Sequence, residues 1–308
     1  MLRTMSSRDR IYFTFKMKIE LASIISTKQE LPWLDFGLES ILENTKNDIV
    51  TTVYVSRCYD FSFMQEVMNV CKKYGVIFSP QGDNFPIGYV NESKTTGFEI
   101  NDADCVISIH PDVVFTKKDV FDDVVDEASE YFDSKYAIYV SSDSPDDIQP
   151  MGITIHTKLG WEKIGCEDIN FYPQAGVEHD YHRRAYLEWG FDPNDKNKYW
   201  EPIKGTVMPD WIYRIRHPEC LHLMKSWNTD PRLAPPSKFN YAAQLLQEVV
   251  LEESHTSYHR RKWGGFFGGE LFLKPFDSEK YNNRIAPENR FNPYADYDTI
   301  PILRGMLL

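Results

Sequence analysis

Short β-branched runs alternate with amphipathic stretches through the first half of the chain. Ile19 to Ser26 predicts a strand that ends in the polar Ser26-Thr27-Lys28. Leu34, Leu38, Ile41 and Leu42 then recur at helical spacing, with Pro32 suited to the first turn. Val50 to Ser56 predicts a second strand running into Arg57, and Phe63, Val67, Val70 and Cys71 share a helical face. Val76 to Phe78 predicts a third strand, Gly88 to Phe98 a weakly patterned helix, and Asp104 to Ile109 a fourth strand. Val120, Val124, Ala128 and Phe132 mark an amphipathic helix with an acidic outer face, and Tyr136 to Ser141 a fifth strand. This β-α alternation predicts an α/β fold: a mainly parallel twisted sheet with helices on both faces.

The fourth strand stops abruptly at His110-Pro111-Asp112. Proline has no N–H to give a sheet ladder, so Pro111 belongs where a strand ends. In a parallel sheet the polar segments that follow each strand fall on one edge. Ser26-Thr27, Ser56-Arg57 and His110-Pro111-Asp112 are therefore expected to share the edge where open α/β sheets bind ligands. Taken alone, an aspartate after a strand is equally well an ordinary turn or helix cap.

Beyond Met151 the pattern loosens. Met151 to His156 predicts a further strand, Lys158 to Lys163 a short helix, and the segment following Glu178-His179-Asp180 a helix stopped by Gly190. Polar Asp192 to Asn197 reads as a linker, and the remainder is rich in proline and tryptophan around a long helix over Asn240 to Ser254. The expected division is an extension over 1–17, a catalytic α/β part over 18–192, and a smaller, mostly helical, aromatic-rich part over 193–308.

Composition narrows the partners. The 308 residues carry a formal charge of −12, which disfavours nucleic acid, since phosphates call for a basic face. A local cation or basic pocket can still serve an anionic ligand. The five cysteines are scattered without CxxC spacing, as expected for reduced thiols. No run reaches the length of a membrane span and no secretory leader pattern is present, so a cytoplasmic, non-secreted protein is expected. There is no GxGxxG after the first strand and no Walker loop, which disfavours dinucleotide and P-loop sites.

Two acidic clusters carry candidate chemistry. A carboxylate at a strand end, Asp112, can hold a hard cation against phosphate oxygens. A carboxylate in the second cluster, Glu178 or Asp180, can act as a general base on a hydroxyl. Acids there equally complement the dipole and cap the N-terminus of a helix. Glu178 and His182 at i,i+4 can face one ligand, but HExxH is absent, which disfavours a zinc hydrolase. The aromatic tail around Trp263-Gly264-Gly265 is expected to wrap the core, and Arg260-Arg261-Lys262 to form a solvated basic face.

Gly88-Tyr89, a helix closing at Gly97, the Asp-x-x-Ile-Ser-Ile strand over Asp104 to Ile109, and His-Pro-Asp-Val-Val-Phe over 110–115 resemble the family-2 glycosyltransferases of the GT-A fold. Gly165 to Phe171, followed by Val177 to Arg184 and Gly190, is similar to the second conserved run of that family. The Tyr258 to Phe276 tail resembles the C-terminal end of certain virus- and phage-encoded members, whose compartment would be the host cytoplasm. The resemblance implies a GT-A-like enzyme that moves a sugar from a nucleotide-sugar donor to a hydroxyl of a glycan or glycoprotein, with inversion and with Mn²⁺ or Mg²⁺. It implies Asp112, with His110, as metal ligands and Glu178, with Asp180, as catalytic acids. Ser26, Thr27, Arg57, Asp60, Asn91, Lys94 and His110 would then lie on the donor side. His110 stands where Asp or Asn is usual, Glu178 where Asp is commoner, and the family's first-strand motif is replaced by Ser-Thr-Lys-Gln. These departures leave open an inactive glycan-binding or scaffold protein, or a metal-dependent nucleotide-sugar hydrolase. A homodimer is also left open.

Overall fold

The computed structural model describes residues 16–25, 28–55, 60–80, 86–141, 152–168, 177–190, 210–222, 258–265 and 270–276, and the structural statements concern these. In chain order the elements are β1 (Lys18–Ile25), α1 (Leu31–Leu42), β2 (Asp48–Val55), α2 (Phe61–Tyr74), β3 (Ile77–Pro80), α3 (Pro86–Thr95) and β4 (Cys105–Ile109). They continue with β5 (Val113–Phe115), α4 (Val120–Ser129), β6 (Ala137–Ser141), β7 (Ile153–Thr157), α5 (Lys158–Ile164) and α6 (Val177–Gly190). Last come β8 (Ile212–Arg216), β9 (Cys220–His222) and α7 (His259–Trp263). A π-helical turn, Thr96–Ile100, extends α3. No described helix is long and apolar enough to cross a membrane.

Seven strands form one sheet in the order β3-β2-β1-β4-β7-β6-β8. The pairs β3–β2, β2–β1, β1–β4 and β6–β8 are parallel, while β7 runs against both β4 and β6. All strands but β7 therefore point the same way, as the β-α alternation predicts. The expected strand over 151–156 is present as β7, but its antiparallel direction was not legible: a short apolar run does not record which way its partners run.

Alternation along the strands divides the sheet into two faces. Ile19, Leu21, Cys105, Ile107, Ile109, Ile138, Val140, Ile153 and Ile155 point to one side, where α4 contributes Val120, Phe121, Val124, Val125 and Ala128. Beside them, α1 and α2 bring Leu34, Leu38, Phe63, Val67 and Cys71 onto Val53, Val55 and Ile25. These are the helical faces that the spacing of apolar residues predicts. The opposite face is more polar, and α3, α5 and α6 cover it. It includes Glu20, which has no exposed surface; Thr52 and Asn101 donate to its two oxygens at 3.3 and 2.9 Å. Burial raises its pKa, and those two hydrogen bonds only partly offset this.

Two strands past residue 192 pair with strands before it. β8 completes one edge of the large sheet beside β6, and β9 pairs with β5. Both strands lie past residue 192, where the sequence places the boundary. The predicted helix over 240–254 lies outside the described residues.

A buried carboxylate fastens the connection between α1 and β2. Asp122 of α4 accepts from the Thr45 hydroxyl at 2.7 Å, the Lys46 N–H at 2.9 Å and the Asn47 amide at 2.7 Å. Asp122→Ala strands these donors and is expected to destabilise the fold by about 2–4 kcal/mol. Urea unfolding measures this; a change within error of zero would mean that the loop re-satisfies its donors with water.

Candidate functional site

The register aligns the carboxyl ends of three neighbouring strands. Ile25 at the end of β1 lies opposite Val55 at the end of β2, and Ser23 lies opposite Ile109 at the end of β4. The chain leaving each strand therefore emerges on one edge, as the sequence pattern implies. Ser26, Thr27 and Arg57 themselves lie outside the described residues.

At that edge β4 turns sharply. The His110 N–H donates to Gly152 O at 2.9 Å, extending the ladder with the β7 side by one more bond. Val113 N–H then donates to His110 O at 3.2 Å, closing the turn that carries Pro111 and Asp112. Helix α1 holds this turn from one side. A Cβ on Gly37 would stand 2.8 Å from Val113 O and 3.1 Å from Pro111 O, so only hydrogen fits there. One turn along, Ser40 Oγ accepts the Phe115 N–H at 3.2 Å. The turn is thereby fixed by backbone contacts, which places Asp112, 4% exposed, and half-buried His110 at the end of the central strand.

One carboxylate and one imidazole on this turn are a sparse ligand set. Among the described residues no group of three His, Cys, Asp or Glu side chains is arranged to hold a metal ion. A closed protein cage is thus not built here. The Asp112 carboxylate does suit a hard cation that takes most of its oxygens from a bound diphosphate and water, as Mg²⁺ commonly does, whereas the His110 imidazole suits a softer ion.

The second acidic cluster reaches the same edge by way of α6. Tyr139 Oη and His182 Nε2 are 3.2 Å apart, and the Tyr136 and Trp189 rings meet edge to face at 5.2 Å. Seven helical residues between His182 and Trp189 and three strand residues between Tyr136 and Tyr139 both span roughly 10 Å. Helix α6 therefore runs antiparallel along β6, with its last turn over the strand's start. Its first turn, one turn beyond His182, advances roughly 6 Å toward the carboxyl edge. The backbone of Glu178 sits in that turn; its side chain lies outside the described ones.

Asp180 occupies the same turn but does not face solvent. It has no exposed surface and receives Arg184 Nε at 2.9 Å, Lys262 Nζ at 2.6 Å and the Trp263 indole N–H at 2.9 Å. Burial alone would push its pKa up. The Lys262 and Arg184 charges, aided by hydrogen bonds from Lys262 and Trp263, overcome this and hold it down at about 2. A carboxylate so acidic and so enclosed is ill placed to accept a proton.

Three residues expected on the donor side make contacts within the protein. Asp60 caps α2, accepting the Phe63 N–H at 3.0 Å. Asn91 donates from its amide to Glu167 O at 2.9 Å and accepts Glu167 N–H at 2.8 Å, spending both ends on one residue's backbone. Lys94, 1% exposed, pairs with Glu167 at 3.3 Å and lies 5.0 Å from the Tyr181 ring centroid. Burial lowers its pKa and Glu167 pulls it back up. Asn91 and Lys94 thus join α3 to the segment after α5, while Asp60 secures a helix start.

Residues that sequence reasoning missed complete this region. Lys262 also bonds Asp168 Oδ2 at 2.5 Å, and Tyr258 Oη donates to the same oxygen at 2.8 Å. Arg184 donates to Ile164 O at 2.6 Å and Cys166 O at 2.9 Å, and Arg183 to Phe272 O at 2.9 Å. Trp263 and Tyr258 are buried, so the aromatic tail does wrap the core. Lys262 is not part of a solvated face: it is 2% exposed and ion-paired, while Arg260 remains exposed. Only the i,i+4 spacing of Asp180 and Arg184 hinted at this arrangement.

Two histidines line the polar face beneath α6. His182 is paired with Tyr139 as above, and His156 Nε2 lies 3.1 Å from Ser108 Oγ. Burial lowers the His182 pKa to about 4 and drives that of His156 well below its usual value. Both folded-state values lie below those of the unfolded chain, so the unfolded state binds protons first. Stability is therefore full above about pH 6.5 and falls as pH drops toward 4. Melting temperatures across this window are expected to decline, less steeply in His182→Gln; an identical slope in that variant would assign the decline elsewhere.

No protein-family model and no curated protein matches the chain. Among solved structures it is similar to the mannosyltransferase PcManGT from Pyrobaculum calidifontis in complex with GDP-Man and Mn²⁺, at 11% identity and TM-score 0.48 over 80% of this chain and 65% of that one. It is also similar to a cytidylyltransferase from Leptospira borgpetersenii, at 14% identity and TM-score 0.43 over 78% of this chain and 95% of that one. S. aureus TarS aligns at 13% identity and TM-score 0.41 over 56% of this chain and 34% of that one. The chain thus spans under two thirds of the mannosyltransferase and about a third of TarS. These neighbours are glycosyltransferases and a nucleotidyltransferase, and the likeness concerns mixed α/β architecture.

Proposed function

We propose that the chain is a GT-A-like glycosyltransferase that moves a sugar from a nucleotide-sugar donor to a hydroxyl of a glycan or glycoprotein, with inversion at the transferred carbon. The observation that supports this reading is the placement of two features toward one edge of the sheet: the clamped His110-Pro111-Asp112 turn at the end of β4 and the first turn of α6 beyond β6. A nucleophilic displacement at a sugar needs a stabilised leaving diphosphate on one side and a base for the acceptor hydroxyl on the other.

Asp112 and His110 would hold Mn²⁺ or Mg²⁺, and the bound ion would supply charge to the departing diphosphate. Asp112, anchored through the turn beneath it, orients that site. Glu178 is the base in this reading, since Asp180 is enclosed and strongly acidic. It takes the proton from the acceptor hydroxyl as the acceptor oxygen bonds to the sugar carbon and the bond to the diphosphate breaks. Ser26, Thr27 and Arg57 follow strands that end at this edge, so their place on the donor side stays part of the proposal. Asp60, Asn91 and Lys94 support the scaffold instead.

Calorimetric titration with UDP, GDP and TDP, each with and without Mn²⁺, tests the donor site. Metal-dependent binding of at least one nucleotide is expected, and Asp112→Ala should remove it with the melting temperature held. Silence across the whole panel would overturn the reading. Release of free sugar without any acceptor would point to a hydrolase.

A further inference from the structure

We propose that Lys262 is a positioning residue for the transfer: by bridging Asp180 and Asp168 it sets the first turn of α6, and with it Glu178. The proposal rests on the reading of Glu178 as base. Its own support is the geometry of the bridge. Lys262 Nζ lies 2.6 Å from Asp180 Oδ1 and 2.5 Å from Asp168 Oδ2, in a site where all three side chains are almost wholly buried. Each residue comes from a different segment. Asp168 follows α5, Asp180 is in the first turn of α6, and Lys262 is in α7.

A lysine suits this junction because its ammonium is a compact charge with three donors, enough for two carboxylates at once. The neighbouring Trp263 indole donates to Asp180 Oδ1 as well, so α7 grips α6 through two side chains in sequence. Without the ammonium, two buried carboxylates would confront each other with one fewer compensating charge. Their repulsion would push α6 from the segment after α5. Glu178 is two residues from Asp180 on the same helix, so any shift of that turn moves the base with it. Misplacement by about 1 Å is enough to cost roughly a hundredfold in rate.

The test compares full-length wild type, Lys262→Met, Lys262→Arg and Trp263→Phe by hydrogen exchange and by steady-state turnover with the donor that the nucleotide panel selects. In Lys262→Met, exchange in residues 177–184 should quicken by about tenfold while β1 and β4 keep their protection. Its kcat should fall by about a hundredfold with donor KM unchanged. Lys262→Arg, which keeps the charge in a bulkier, planar group, should fall between wild type and Lys262→Met in both properties. If Lys262→Met loses protection throughout the sheet, Trp263→Phe takes its place, with smaller changes expected in the same direction. Unchanged protection of α6, or a loss of rate carried wholly by KM, overturns the proposal. If wild type turns over no donor, the transferase reading fails, and the exchange result alone decides whether Lys262 sets α6.

Discussion

Glu178→Gln is expected to lower turnover by about 10²- to 10⁴-fold, the usual contribution of a positioned general base. The amide keeps the shape of the side chain and loses only its capacity to take a proton. Donor affinity measured by calorimetry and the melting temperature should therefore stay near wild type. The pH profile supplies an internal check, since the ascending limb of kcat/KM belongs to the base and should vanish in the variant. Full turnover by Glu178→Gln would remove Glu178 from the mechanism. The enclosure of Asp180 makes this a sharper test than a paired substitution, because Asp180 is not available to stand in.

Asp180→Ala is expected to have the largest effect on stability, about 3–5 kcal/mol, because it leaves Lys262 and Arg184 buried without their shared carboxylate. The indole N–H of Trp263 loses its acceptor at the same time. Urea unfolding reads this directly, and a loss below about 1 kcal/mol would mean that the cluster is not a unit. The acid limb gives a second measurement. The folded-state pKa of Asp180 is held at about 2, below the ordinary carboxylate value, so the unfolded state takes up its proton first. The stabilisation is complete above about pH 4 and is lost as pH falls through 2. Asp180→Asn should flatten the stability curve in that window, below the range in which the buried histidines act.

The two substitutions separate the jobs of neighbouring acids on one helical turn. Glu178 is assigned chemistry and Asp180 is assigned architecture, although the sequence offers both as candidates. The enclosure of Asp180 is the ground for this division. A base must exchange a proton with an acceptor, whereas a carboxylate without exposed surface, held by two cations, has neither access nor affinity for one.

The order of strands and helices from β1 to α6, the short β5 excepted, was legible from hydrophobic periodicity and turn residues. Leu34, Leu38 and Ile41 of α1, and Phe63, Val67 and Cys71 of α2, are buried on the faces that their spacing predicts. Pro111 marked the end of β4 because a residue without an N–H cannot prolong a ladder. Parallel order then followed from the crossovers, and with it the shared edge for the segments after β1, β2 and β4. All of this rests on local preferences and on the two periods of 3.6 and 2 residues, which a linear pattern records faithfully.

The tertiary structure decided the matters that depend on contacts distant in sequence. The direction of β7 and the entry of β8 into the sheet depend on which strand each meets, and short apolar runs do not encode their partners. Asp180, Lys94, Asn91 and Lys262 find partners that only the folded chain brings to them: Lys262 lies 94 residues from Asp168 and 83 separate Trp263 from Asp180. A charged residue reads the same in sequence whether it faces water or a buried counter-charge. Desolvation and pairing, which only the folded chain establishes, make Asp180 part of the cluster that holds α6 to its neighbours.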